Sequence, residues 1–379
     1  MKLLYLSPVP LASFAQRPHH FVRWVHERFG AQVLWIEPPP ARLPRWSDVS
    51  RLRPGAGRKA ALADAWTQDA WIQRLRVPAL PFEPWSAGRA INERLQTRVL
   101  RQLDAWVDGQ TWLAFGKPCA LALALQRRYA DRPSLFDVMD AVPEFSSEPS
   151  RQWLSQCETQ LAACCDQVVA SAPSLLTRLG IDPPDTRACV ISNGLVPPDP
   201  GMTTRRLPSP EGPPRFVYVG VIASWFDWEA VLALARRFPA SPIRLIGPCH
   251  QAPPSALPSN VQRLGPVAHQ ALDAVFLEAD IGLIPFLDNA LTRHVDPVKF
   301  YEYRAAGLGV LSTRFGTMNA RGPSDQVLFF DAQPSAPALR ALAQAAADEA
   351  ARARFCAEHA WTRRWERLAP WFTAETNGR

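Results

Sequence analysis

Two ionisable side chains three residues apart carry the most specific chemistry in this sequence. Lys299 and Glu302 stand in ADIGLIPFLDNALTRHVDPVKFYEYRAAGLGVLST, residues 279–313. The run IGLIP reads as a buried strand. A polar loop follows, then a helix over 298–306 with Asp296 as its N-cap and Pro297 at its first position. Residues three apart share one face of a helix. A lysine on that face can neutralise a diphosphate, and an ionised carboxylate can accept the hydrogens of two ribose hydroxyls. The competing reading is an exposed ion pair worth about 0–1 kcal/mol, and spacing alone favours it. Lysine is scarce, however: the chain has four lysines and 38 arginines.

Other side chains stand where strands should end. In SLFDVMDAVPEF (134–145), Asp137 closes a predicted strand and Asp140 lies in the loop beyond it. One carboxylate so placed can take the proton from an attacking hydroxyl. Aspartate is also favoured at caps, so both readings stay open for Asp140, while Asp137 is read as capping or orienting its neighbour. In AQRPHHF (15–21), Arg17, His19 and His20 open the first long helix next to the end of the first strand. There a histidine could act as base or face a second substrate, or simply cap the helix in solvent. Gly220, Gly247 and Gly265 follow strand ends, where glycine allows sharp turns and close approach of a ligand. No GxGxxG and no GxxxxGK[ST] occurs, which removes support for dinucleotide dehydrogenases and P-loop NTPases.

The elements that must position these groups alternate strand and helix. The first half predicts strands at 3–6, 33–36, 111–115, 135–138, 167–170 and 188–191. Helices are predicted at 18–29, 87–107, 119–129, 149–165 and 173–179, and residues 38–85 stay unassigned. Residues 197–214 (PPDPGMTTRRLPSPEGPP) lack apolar periodicity and read as a linker. The second half predicts strands at 216–219, 243–246, 261–264, 281–285, 309–312 and 327–330. Its helices are expected at 227–238, 269–278, 298–306 and 337–355, followed by an amphipathic helix carrying Trp361, Trp365 and Trp371. Short apolar strands alternating with helices argue for parallel sheets covered on both faces. The expected fold class is α/β, with two Rossmann-like domains: 1–196, and 215–355 after the linker. Residues 356–379 are expected to pack back on the first domain.

Length and composition agree with two domains. The chain has 379 residues, 47% of them hydrophobic and 20% charged, with a formal net charge of +7. From Arg42 to Arg101 there are twelve Arg or Lys against five Asp or Glu. Such a stretch attracts anions, or is a solvated arginine-rich face. The seven cysteines are irregularly spaced without a CxxC, so neither a disulfide framework nor a zinc site is indicated, and a reducing cytoplasm is expected. MKLLYLSPVP reads as a first strand rather than a signal peptide. No segment reaches the ~18–20 apolar residues of a membrane span, so membrane contact is expected to be peripheral at most.

Pro297, Lys299, Glu302, Tyr303, Ala305 and Gly307 form a P-x-K-x-x-E-Y-x-A-x-G pattern that resembles the donor-site signature of GT-B glycosyltransferases of the family 4 kind. FVYVGVIASWFDWEAV, RLIGP, NVQRLGPVAHQALDAVFLEADIGLIPF, VVASAPSLLTRL, VISNGL and SLFDVMDAVPEF resemble further segments of the bacterial exopolysaccharide and cell-wall-polysaccharide members, in order. The resemblance spans most of residues 1–365 outside roughly 38–110. It implies a GT-B fold, two Rossmann-like domains facing each other across a cleft that closes over the substrates. It implies that Glu302 binds the ribose, Lys299 the diphosphate, and the Gly220 loop the phosphates, with Tyr303 counted among the donor-binding residues. The family's second glutamate, eight residues before Glu302, is replaced by His294. The basic pair after the glycine loop is replaced within Ser224, Trp225, Phe226 and Asp227. This layout resembles the subgroup of the xanthan-type glucuronosyltransferase, which implies Asp140 as base.

The resemblance therefore implies a transfer from a nucleotide-sugar, expected to be a UDP-sugar, without metal or other cofactor. The expected acceptor is a lipid-linked or polysaccharide saccharide in surface polysaccharide biosynthesis, met at the inner membrane face by the basic region. Arg17, His19 and His20 are the acceptor-side candidates. One rival is a catalytically silent sugar-nucleotide binder in a polysaccharide assembly complex. A second, nucleic-acid binding through the arginine-rich stretch, lacks any recognisable RNA-binding motif.

Overall fold

The computed structural model describes residues 1–39, 69–182, 184–198, 211–267 and 271–374. Most of the predicted linker, the 42–68 part of the basic stretch and the start of the helix predicted at His269 lie outside the described residues. The chain forms two compact units. One comprises Met1–Ile191 together with the chain from Trp365 onward, the other Ser192–Arg364.

The first unit is built on seven parallel strands: β1 (Lys2–Leu6), β2 (Gln32–Ile36), β3 (Ile72–Leu75), β4 (Thr111–Phe115), β5 (Ser134–Val138), β6 (Gln167–Ala170) and β7 (Ala188–Val190). Their order is β3-β2-β1-β4-β5-β6-β7. Every residue of β4, β5 and β6 is buried, as expected for strands covered on both faces. The helices are α1 (Arg17–Phe29), α2 (Ser86–Trp106), α3 (Ala120–Arg128), α4 (Ser150–Cys164) and α5 (Pro173–Arg178). β3 falls in the stretch left unassigned by sequence. Only Ile72 of its IQRL is buried, because an edge strand needs no continuous apolar run.

Residues 365–374 complete the core of this unit. Trp365 packs against Phe21 of α1 (4.9 Å between ring centroids), and Phe372 against Trp24 (5.8 Å) and Trp112 (4.8 Å). The Trp24 indole N–H donates to Glu366 at 3.0 Å.

The second unit repeats the plan with six parallel strands: β8 (Phe216–Val219), β9 (Ile243–Ile246), β10 (Val261–Gly265), β11 (Ile281–Ile284), β12 (Gly309–Ser312) and β13 (Val327–Phe329), ordered β10-β9-β8-β11-β12-β13. In both sheets the order reverses beside the first strand, β1 against β4 and β8 against β11. Ligands of such sheets bind at that switch point, outside the carboxyl ends of the strands. The helices are α6 (Trp228–Arg237), α7 (Leu272–Leu277), α8 (Val298–Ala305), α9 (Ala336–Ala346) and α10 (Glu349–His359).

Two expectations about helices need correction. The single helix over 337–355 is two, because Asp348 starts a new one by accepting the Ala351 N–H at 2.7 Å. The predicted C-terminal helix is likewise broken into short pieces. Extended Ala360 pairs with Leu195 in an isolated parallel bridge.

Candidate functional site

The carboxyl edge of the second sheet is shaped by close backbone contact. Gly220 follows β8 with φ +151° and Gly247 follows β9 with φ +135°, conformations that side-chain-bearing residues rarely adopt. The two turns touch: a Cβ on Gly247 would lie 2.1 Å from the Gly220 carbonyl oxygen. A Cβ on Gly220 would lie 2.5 Å from Lys299 Cε and 2.8 Å from its Nζ. The missing side chain at 220 is therefore what lets the Lys299 ammonium lie on the backbone at the switch point.

Lys299 sits in the first turn of α8, half-buried, with its Nζ 5.7 Å from the Tyr218 ring centroid and 5.6 Å from that of Phe286. Burial pulls the ammonium below the usual lysine range, and only the Glu302 carboxylate opposes this. The two charges form no ion pair: among the described residues none joins them, and neither side chain has a hydrogen-bond partner. The exposed-pair reading of this spacing thus does not describe the geometry. The N-cap position, Pro297, gives α8 no side-chain cap, so its first amides add to a local positive potential. A desolvated cation and uncapped helix amides, beside glycine turns with no side chain to block approach, together suit an oxyanion such as a phosphate. Glu302, one turn further along, adds a half-buried acceptor-only group.

Asp296 does not cap α8. It is buried, and its carboxylate accepts from the Asn193 N–H (2.7 Å), the Thr317 hydroxyl (2.7 Å) and the Tyr301 hydroxyl (3.0 Å), with Arg321 at 3.6 Å. These partners fix the entry to α8 from the side. Tyr303 is fully buried. Its hydroxyl accepts the Val219 N–H at 3.0 Å, and its ring fills the space a Cβ on Gly282 would occupy. It holds the end of β8 against α8 and presents no surface. Asp227 caps α6 through the Ala230 N–H at 2.9 Å.

In the first unit, Asp140 lies half-buried two residues beyond β5. The loop is pinned by the Ser171 hydroxyl on the Met139 carbonyl (2.6 Å) and by the Val142 N–H on the Asp140 carbonyl (2.9 Å). Asp137 is buried and pairs with Arg17, whose Nε and Nη2 reach it at 3.0 and 2.8 Å. Arg17 also donates to the Ile191 carbonyl at 2.6 Å and lies over the Trp365 ring. Arg17 is therefore an internal residue that ties α1, β5 and the end of the first sheet together. His19 is buried as well: its Nδ1 accepts the Gln16 N–H at 3.2 Å and its Nε2 lies 3.2 Å from the Leu11 carbonyl. His20 is half-buried beside it.

Sequence reasoning passed over Lys117. It follows β4 at the switch point of the first sheet, and its Nζ donates to the Pro39 carbonyl at 2.5 Å. Burial lowers its pKa, with Cys119 and Glu83 opposing. The scarcity of lysine that singled out Lys299 would have singled it out too. Among the described residues no group of three or more His, Cys, Asp or Glu is placed to hold a metal ion.

No protein-family model and no curated protein sequence matches the chain. Solved structures do. HepE of Anabaena, crystallised with UDP and glucose, matches with a TM-score of 0.61 at 13% identity, over 99% of this chain and 100% of that one. The lipopolysaccharide outer core galactosyltransferase WaaB, in its apo form, matches at 0.63 and 10%, over 99% and 100%. The fold is GT-B. The α,α-trehalose 6-phosphate synthase from Burkholderia multivorans matches this GT-B chain at 0.62 and 11%, over 99% and 98%. Identities this low establish the fold alone.

Proposed function

We propose that this chain is a glycosyltransferase that takes a nucleotide-sugar, specifically a UDP-sugar, and passes the sugar to a lipid-linked or polysaccharide acceptor in surface polysaccharide synthesis. The observation that carries the reading is Lys299: a desolvated ammonium without an ion-pair partner, laid on Gly220 at the switch point, with Glu302 one turn away. Shared fold with HepE, crystallised with UDP and with UDP-glucose, supports the choice of nucleotide.

In this reading Glu302 accepts hydrogen bonds from the ribose hydroxyls. Lys299 and the α8 amides take up the negative charge that grows on the departing diphosphate. Asp140 receives the proton of the acceptor hydroxyl as the new glycosidic bond forms and the bond to the diphosphate breaks. No metal is assigned a role. Thermal-shift titration with UDP, GDP, ADP and their sugar conjugates tests the donor half. A UDP-specific stabilisation, lost in Glu302→Ala, is expected. At 100 times its Kd a ligand adds about 2.7 kcal/mol. Equal response to all three nucleotides, or none, overturns the assignment. UDP binding without turnover of any UDP-sugar, hydrolysis included, favours the silent binder.

A further inference from the structure

The N-terminal half of α2 turns polar side chains inward and apolar ones outward, while its C-terminal half packs Val99, Leu100 and Leu103 against the core in the ordinary way. The inward positions of the N-terminal half include Asn92 and Gln96, while Ile91 and Leu95 stand 43% and 44% exposed. Asn92 is inward for a reason: its side-chain amide donates to the Leu80 carbonyl (2.9 Å) and accepts the Leu80 N–H (2.7 Å), as a neighbouring strand would. Gln96 has no such reward; its Nε2 lacks a hydrogen-bond partner among the described residues. Turns that only needed to cover the sheet would place Ile91 and Leu95 inward, as the following turns place Leu100 and Leu103.

The outward face also has ordered charge. At 100° per residue, Arg94, Arg98 and Arg101 fall on one side of it, flanked by Ile91 and Leu95, all five exposed. The acids fall on the far flank, and Asp104 there is already paired with Arg128 and Tyr129. Trp85, 54% exposed, stands at the N-terminal end of the helix with Leu80, 37% exposed, just before it. A strip of arginines beside a pair of aliphatics, with an indole at one end, makes a surface that is complementary to anionic headgroups over an apolar layer.

We propose that this face of α2 lies in the surface of an anionic lipid membrane. Contact is interfacial, since among the described residues no helix is long and apolar enough to cross a bilayer. Headgroup phosphates meet Arg94, Arg98 and Arg101, and Trp85, Ile91 and Leu95 enter the acyl boundary. The proposal rests on α2 alone and does not depend on the nucleotide site.

The test is co-sedimentation of the purified full chain with vesicles of phosphatidylcholine, or of phosphatidylcholine and phosphatidylglycerol in equal parts. Two variants are compared, I91S/L95S and R94Q/R98Q/R101Q, with circular dichroism to check folding. Binding to the anionic vesicles alone is expected. It should fall on the order of a hundredfold in the arginine variant, at about fivefold per arginine, and on the order of tenfold in the aliphatic one. Absence of binding at low salt overturns the proposal, as does binding that neither variant weakens. So does loss with the arginine variant alone, which means electrostatic adsorption without insertion. Equally tight, sequence-independent binding to oligonucleotides that I91S/L95S leaves intact would assign the face to nucleic acid.

Discussion

Replacing Lys299 with methionine separates a ligand-binding cation from a structural one. The ammonium contacts two aromatic rings and no carboxylate. Cation–π contacts contribute roughly 0.5–2 kcal/mol, yet the depressed pKa says that desolvation outweighs everything that favours the charge. Methionine keeps the length and the apolar stem without the charge. The apo protein should therefore melt no earlier than wild type. A charge-assisted hydrogen bond to phosphate contributes about 1.5–3 kcal/mol, so UDP affinity should fall roughly 10- to 150-fold. Suppose the loss is about 30-fold. At a UDP concentration of 100 wild-type Kd, the stabilisation then drops from about 2.7 to about 0.9 kcal/mol, and the thermal shift to a third. With the folded pKa below 10.5, the penalty is fully present below the folded value and is relieved as pH rises towards 10.5. Wild-type stability should gain on the variant over that alkaline window while UDP binding fades. A variant that loses apo stability yet keeps the full UDP shift makes Lys299 a structural residue and refutes the reading.

Asp140→Asn should retain the UDP-induced thermal shift while sugar transfer falls about 10²–10⁴-fold, read by UDP release in the presence of acceptor. Asp137→Asn removes the carboxylate that neutralises the buried Arg17 and should destabilise by about 3–5 kcal/mol, seen in denaturant melts. The double change D137L/R17M should recover much of that. Glu158 is buried against Arg178 and its carboxyl is pushed up to about 7 by desolvation. Its charge therefore weakens the fold above about 7, and the penalty is relieved as pH falls from there towards 4.5. Glu158→Gln should be the more stable form at pH 8 relative to wild type, with the gap closing towards pH 5; a constant gap would contradict this.

Strands buried on both faces were legible because their apolar runs are continuous, as in Leu113–Phe115 and Ile281–Ile284. β3 was not, since an edge strand can expose Gln73 and Arg74. The break at Asp348 was hidden by alanines on either side, which favour helix whether or not one carboxylate stops it. Spacing placed Lys299 and Glu302 on one turn but could not say that burial, rather than pairing, governs the lysine. Arg17 and Asp137 are 120 residues apart, and no local pattern joins them. Asp296 looked like a cap because caps are local, whereas its partners Asn193 and Thr317 come from distant segments.

The first unit is not contiguous in sequence, and this bears on how the chain is made. Phe21, Trp24 and Trp112 wait for Trp365 and Phe372 to cover them. On a ribosome, translation of the whole second unit separates the two events. Until Trp365 and Phe372 emerge, the nascent protein carries a sheet with an open aromatic seam, a sticky intermediate that chaperones would hold. A chain halted before residue 365 would keep Gly220, Lys299 and Glu302 and still be prone to aggregate.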